Sequence, residues 1–169
     1  MTLLSRMLAA LAIGAALGAV PVAAQTPAAL KAAVEDKWAC IGANTSEGNP
    51  AQARYAKVKG CISDFAAPCD DIDANDSKAQ VACYKREETI WEGIIGDHLI
   101  ADAKAGAAQK PGIVQSMSAA ASAMRLSRDK TCSFVNRFEV NVRPPRQYYC
   151  RLTRTAEFAM LVYLALYTP

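Results

Sequence analysis

Apolar residues recur along this chain at three- and four-residue spacing, and two-residue alternation is scarce, so the pattern predicts helices and little strand. Ala28 to Ile41 is Ala-rich and carries Leu30, Val34 and Trp38 at i, i+4 and i+8, one stripe of a short helix. Asn49-Pro50 supplies an N-cap followed by proline at a first helical position, predicting a second helix to about Ser63. Pro68 and the Asp70 to Asp76 stretch then read as a break. Ser77 with Gln80 has the spacing of a capping box, and a third helix is expected from there to about Lys104. Its face gathers Val81, Tyr84, Glu88, Trp91, Ile95 and Leu99. Gly106 to Gly112 reads as a loop.

A fourth helix is expected near Ile113, with Val114, Met117, Ala121, Met124, Arg128 and Cys132 along one side. Pro144-Pro145 ends regular structure there, and a last helix follows from about Arg151 to Tyr167. From Phe158 onward that helix is almost wholly apolar, but the run is too short to span a bilayer. It reads as a buried bundle helix, or as a partner-binding surface if exposed. The fold class these elements imply is all-α, a disulfide-stapled bundle of four to five helices.

Residues 1–24 read as a secretory signal peptide. Arg6 forms the positive start, Leu8 to Val20 the apolar stretch, and Val22-Ala23-Ala24 the small-residue cleavage site before Gln25. The remaining chain, 25–169, is short enough to be a single domain. All six cysteines, Cys40, Cys61, Cys69, Cys83, Cys132 and Cys150, lie after the leader. An even count in an exported chain implies disulfides, placing the protein in the bacterial periplasm or outside the cell. Six cysteines allow fifteen pairings. Sequential neighbours, Cys40–Cys61, Cys69–Cys83 and Cys132–Cys150, are favoured because each closes a short loop.

The formal net charge is only +3 and no basic run exceeds two residues, so a nucleic-acid partner is not indicated. The charge is unevenly distributed, however. Gln25 to Asp102 holds 8 basic and 13 acidic residues, a net of −5, while Ala103 to Pro169 holds 10 and 3, a net of +7. Either the acidic half packs on the basic half, or a polarised surface steers a charged partner.

Candidate chemistry is sparse. No Cys-x-x-Cys occurs and His98 has no ligand-spaced neighbour, so no metal and no cofactor are expected. Asp71, Asp73 and Asn75 resemble the start of a calcium loop, but Asp76 replaces its glycine and Ala82 its closing glutamate. Glu87 and Glu88 are adjacent on a helix and point about 100° apart, so they do not converge on one substrate atom; they read as exposed charges. His98 lacks a nucleophile context and reads as solvent-exposed or capping. The expected protein is not an enzyme. Arg128 is placed to pair with Glu87 or Glu88 and so set helix register. Arg143, Arg146, Tyr148 and Tyr149 crowd the segment before Cys150, as binding residues or as packing on a disulfide.

Cys83-x3-Glu87-x3-Trp91-Glu92-x2-Ile95, then Arg128-Asp129-x2-Cys132, then Cys150-x4-Thr155-x-Glu157-x-Ala159, resembles the lysozyme inhibitor LprI-like (DUF1311) family of secreted bacterial proteins. The resemblance covers about residues 69–165 and is that of a divergent member. Glu92, Ile95, Gly96 and Leu99 stand where the family pattern has Asp, Leu, Asn and Tyr. It implies an all-α fold and non-enzymatic protein binding, with a lysozyme as one partner, and Glu87, Trp91, Arg128 and Asp129 as motif residues of structural or binding role. An envelope interaction or assembly protein with another partner is the alternative.

Overall fold

A computed structural model describes residues 26–44, 51–73, 75–108, 110–138 and 145–167. The leader, the Asn49-Pro50 cap, Arg143 and Pro144 lie outside the described residues. The helices are α1 (Pro27–Asn44), α2 (Ala51–Asp70), α3 (Ser77–Gly93), a π-helical segment (Ile94–Ile100), α4 (Ala101–Ala105), α5 (Ile113–Phe138) and α6 (Pro145–Tyr167). No strand occurs among the described residues. The all-α, disulfide-stapled bundle is therefore the observed architecture.

Local chemistry explains where these helices begin. Thr26 and Pro27 open α1: the Thr26 hydroxyl accepts from the Ala29 N–H at 3.3 Å, and proline occupies the first helical position. Asp76, not Ser77, caps α3, accepting from the Ala79 N–H at 2.9 Å. The expected Ser77–Gln80 capping box does not form, because the Gln80 amide donates to the Ile72 carbonyl instead. Pro145 starts α6, so the last helix begins six residues before Arg151. Pro68 does not end α2, which runs on to Asp70 with the proline on its exposed side. Gly112 closes the loop before α5 with φ at 81°, a conformation that favours glycine.

α3 and α6 form the centre. α6 packs along α3 and α5, while α1 and α2 cover the other side of α3. Ile90, Trp91, Ile94, Ile95 and Leu99 meet Leu152, Ala156, Ala159 and Met160 in the core, completed by Val34, Ile41, Val58, Ile62 and Ala121. The face expected for the third helix is observed, but it runs through a π-helical stretch that the apolar spacing does not announce. Beyond Met160, α6 is half-buried and Leu161 points outward, so its apolar end is core and surface by turns.

The three expected disulfides are present: Cys40–Cys61 joins α1 to α2, Cys69–Cys83 joins α2 to α3, and Cys132–Cys150 joins α5 to α6. Loops of this size each remove about 3 kcal/mol of unfolded-state entropy on closure. They tie consecutive helices, and contacts between the covalently linked groups are non-covalent, made by the apolar core and by side-chain ion pairs.

α1 crosses α3 at Gly93, where an added Cβ meets the Val34 Cγ2 at 2.7 Å. Val34 is buried and β-branched, so it has little room to turn aside. Gly93→Ala is therefore expected to destabilise the fold by about 1–3 kcal/mol, despite the better helix propensity of alanine. Urea unfolding checks this; the loss should largely vanish in Gly93→Ala with Val34→Ala, and a stabilised single variant would refute the close crossing.

Candidate functional site

The charged residues of α3 do not face water. Glu87 and Glu88 are buried, contrary to the expectation of exposed helix charges, because α3 is covered on all sides but one. Glu87 pairs with Lys37 of α1, a lysine with no exposed surface. Val34, Lys37 and Ile41 share the buried face of α1, and the Lys37 Nζ sits 5.1 Å from the Trp91 ring centre. Burial lowers the Lys37 pKa, with Glu87 opposing the shift. Trp91 is itself core, fully enclosed rather than presented to a partner.

On the other side of α3, Glu88 and Glu92 meet the arginines of α5 and α6. Arg151 grips Glu88 through two bonds of 3.0 and 2.8 Å, and Arg125 grips Glu92 through two of 2.9 and 2.6 Å. Arg128, 6% exposed, bridges them: its Nη1 lies 2.9 Å from Glu88 and 2.7 Å from Glu92 and also donates to the buried Thr155 hydroxyl. Its Nε donates to Asp129 at 2.9 Å, and Arg151 reaches the same oxygen at 2.6 Å. Arg128 thus pairs with Glu88 as expected but not with Glu87, which faces α1. Glu92, Arg125 and Arg151 are members that sequence reasoning missed. Their signal was the near-one-turn spacing of Glu88 with Glu92 and of Arg125 with Arg128. Beside the ladder, Lys85, Thr89, Gln147 and Tyr148 complete a groove of about 560 Å³, with the Lys85 Nζ 4.8 Å above the Tyr148 ring.

The acidic turn between α2 and α3 differs from this ladder. Asp70, Asp71, Asp73 and Asp76 are exposed, and the backbone beneath them is firmly held. Cys69–Cys83 closes its base, Tyr84 donates to Asp70, and Asp73 accepts from both the backbone and side-chain N–H groups of Asn75. Burial and the Asp70 carboxylate push the Tyr84 hydroxyl pKa up. The calcium-like residues thus form a capped turn, and no metal-holding cluster occurs among the described residues.

At the opposite end, His98 of the π-helical segment lies flat on Trp38, centres 4.5 Å apart at 9°. Its side chain is 17% exposed and its Nε2 is 3.4 Å from Glu35, so it is neither solvent-exposed nor a cap. Tyr163 and Tyr167 stand edge-on to Trp38, and Tyr167 donates to Asp102. The expected aromatic loop before Cys150 is instead the first turns of α6, where Tyr149 stands edge-on to Tyr84.

No family model, no curated protein and no solved structure matches this chain.

Two stability predictions follow from the ladder. Lys37→Met leaves the Glu87 charge buried without its partner and is expected to cost about 3–5 kcal/mol, whereas Lys37→Met with Glu87→Leu recovers most of it. Denaturant midpoints decide this, and a double variant as weak as the single would refute it. For Glu92, burial raises the carboxyl pKa, but hydrogen bonds from Arg125 and Arg128 outweigh it and hold the group below its ordinary 4.5. The folded state thus binds this proton less readily than the unfolded chain. Its stabilisation is complete above pH 4.5 and is lost as pH falls through the depressed folded value. Urea midpoints measured down that range should fall less steeply in Glu92→Gln; an unchanged slope would exclude the group.

Proposed function

We propose that this chain is an exported, non-enzymatic protein-binding module of the kind the LprI-like resemblance implies, that it works in the periplasm or outside the cell, and that its target is a cationic lysozyme. The observation that carries the reading is the acidic turn. Asp71 and Asp73 project from a backbone already held by Cys69–Cys83, the Asp76 cap and the Asn75 bonds. A preformed loop loses little freedom on binding, which is how a small rigid protein blocks a cleft. Its charge is opposite to the net charge of a cationic lysozyme, which steers the two together. The ladder on α3 supports the same reading from another direction: its carboxylates are neutralised by Lys37, Arg125, Arg128 and Arg151 and serve the scaffold.

The test is a titration of lysozyme with oxidised residues 25–169 in a peptidoglycan-hydrolysis assay at low and moderate salt. Stoichiometric inhibition that weakens with salt is the expected result. Asp71→Lys with Asp73→Asn, which keeps the acceptor for Asn75, should weaken inhibition by about tenfold or more. Unchanged hydrolysis at micromolar excess removes lysozyme as the target. The second reading, an envelope interaction or assembly protein with another partner, then stands on the outward Leu161 and Tyr167 of α6.

A further inference from the structure

The outward side of α5 carries an exposed stripe of alternating apolar and cationic residues. Leu126, Lys130, Phe134 and Arg137 follow at i, i+4, i+8 and i+11 and form one stripe along the end of the helix. Leu126 is 60% and Phe134 57% exposed. Lys130 and Arg137 are also exposed, and among the described residues neither has an ion pair. Arg125, Arg128, Arg151 and Arg154 are all engaged by carboxylates, and Asp129, which borders the stripe, is held by Arg128 and Arg151. Leu161, 56% exposed, stands on the adjoining edge of α6 over a groove shared with Met124, Thr131 and Phe158.

The charge and spacing of the stripe select its occupant. A second copy docked through a two-fold axis sets the same stripe against itself, so the Lys130 and Arg137 of both copies gather at one interface with no free carboxylate on the stripe to offset them. Leu126 and Phe134 are separated by a cation, so they do not merge into the continuous patch of a stable protein interface, which buries about 1,200–2,000 Å² in total. A bilayer surface has neither requirement. It admits apolar side chains one at a time, accepts a convex helix face, and offers phosphates to the cations between them.

We propose that this stripe of α5 rests on the surface of an anionic phospholipid bilayer, with Leu126 and Phe134 inserted among the headgroups and Lys130 and Arg137 held by lipid phosphates. Attachment is peripheral, in keeping with the finding that no helix among the described residues is long and apolar enough to cross a membrane. It uses none of the residues of the acidic turn, so it stands apart from the lysozyme reading.

Vesicle co-sedimentation with oxidised residues 25–169, which contain every described helix, tests the proposal. The protein is expected to sediment with vesicles of phosphatidylglycerol and phosphatidylethanolamine, to bind phosphatidylcholine vesicles far less, and to be released by salt. Leu126→Asp with Phe134→Asp should lower partitioning by about tenfold or more. Lys130→Glu with Arg137→Glu should abolish the preference for anionic lipid. All four substitutions are at exposed positions, and an unchanged helical circular dichroism spectrum confirms that the fold is intact. The proposal is overturned if the protein stays in the supernatant with both vesicle types, or if both double variants sediment like the parent. A rise in mass without lipid, abolished by Leu126→Asp with Phe134→Asp, overturns it in favour of a second copy.

Discussion

The rest of this structure depends on neutralising three carboxylates carried by one central helix. α3 presents Glu87, Glu88 and Glu92 to neighbours that exclude most of the water around them. A buried carboxylate without a partner costs several kcal/mol, so cations must arrive at fixed positions. Lys37 brings α1, Arg125 and Arg128 bring α5, and Arg151 brings α6. Each guanidinium has a rigid donor geometry, so the pairs specify where the helices stop sliding past one another. Their net contribution to stability is smaller than their number suggests, because desolvation offsets much of the attraction. Their contribution to register is large.

The disulfides and the ladder divide the assembly between them. Covalent bonds join α1 to α2, α2 to α3 and α5 to α6, all neighbours in sequence. Long-range docking of the α5–α6 pair onto α3 is left to the apolar core and to the arginine–glutamate contacts. The uneven charge of the chain acquires a physical meaning here. Arg125, Arg128 and Arg151 of the positive half are matched by Glu88 and Glu92 of the negative half across one interface, so part of the imbalance is an internal arrangement. Among the charges outside this matching are the acidic turn at Asp70 to Asp76 and the cationic stripe at Lys130 and Arg137. These are the surfaces on which the functional reading and the bilayer proposal rest.

Much of the fold was legible in the order of residues. Helix spacing, the loop at Gly106 to Gly112 and sequential cysteine pairing depend on local geometry and short loop closure, which a linear pattern records. The misreadings came from two sources. Pro68 and Pro145 were read as breaks, yet proline is tolerated at the first position of a helix and on the outer side of one held elsewhere by packing. Glu87, Glu88 and His98 were read as solvated because their types favour water, and burial overrode that preference once partners were at hand.

The sequence by itself determined that the chain is helical, where most turns fall, and which face of the third helix is apolar, and it favoured the sequential cysteine pairing without fixing it. These follow from backbone sterics and hydrophobic periodicity, which act over a few residues. Only the tertiary structure decided that Lys37 neutralises Glu87, that Arg128 bridges Glu88 and Glu92, and that His98 lies on Trp38. It also decided which charges are left to face outward. Those outcomes join residues tens of positions apart, and they depend on how helices cross in space, which no local spacing encodes.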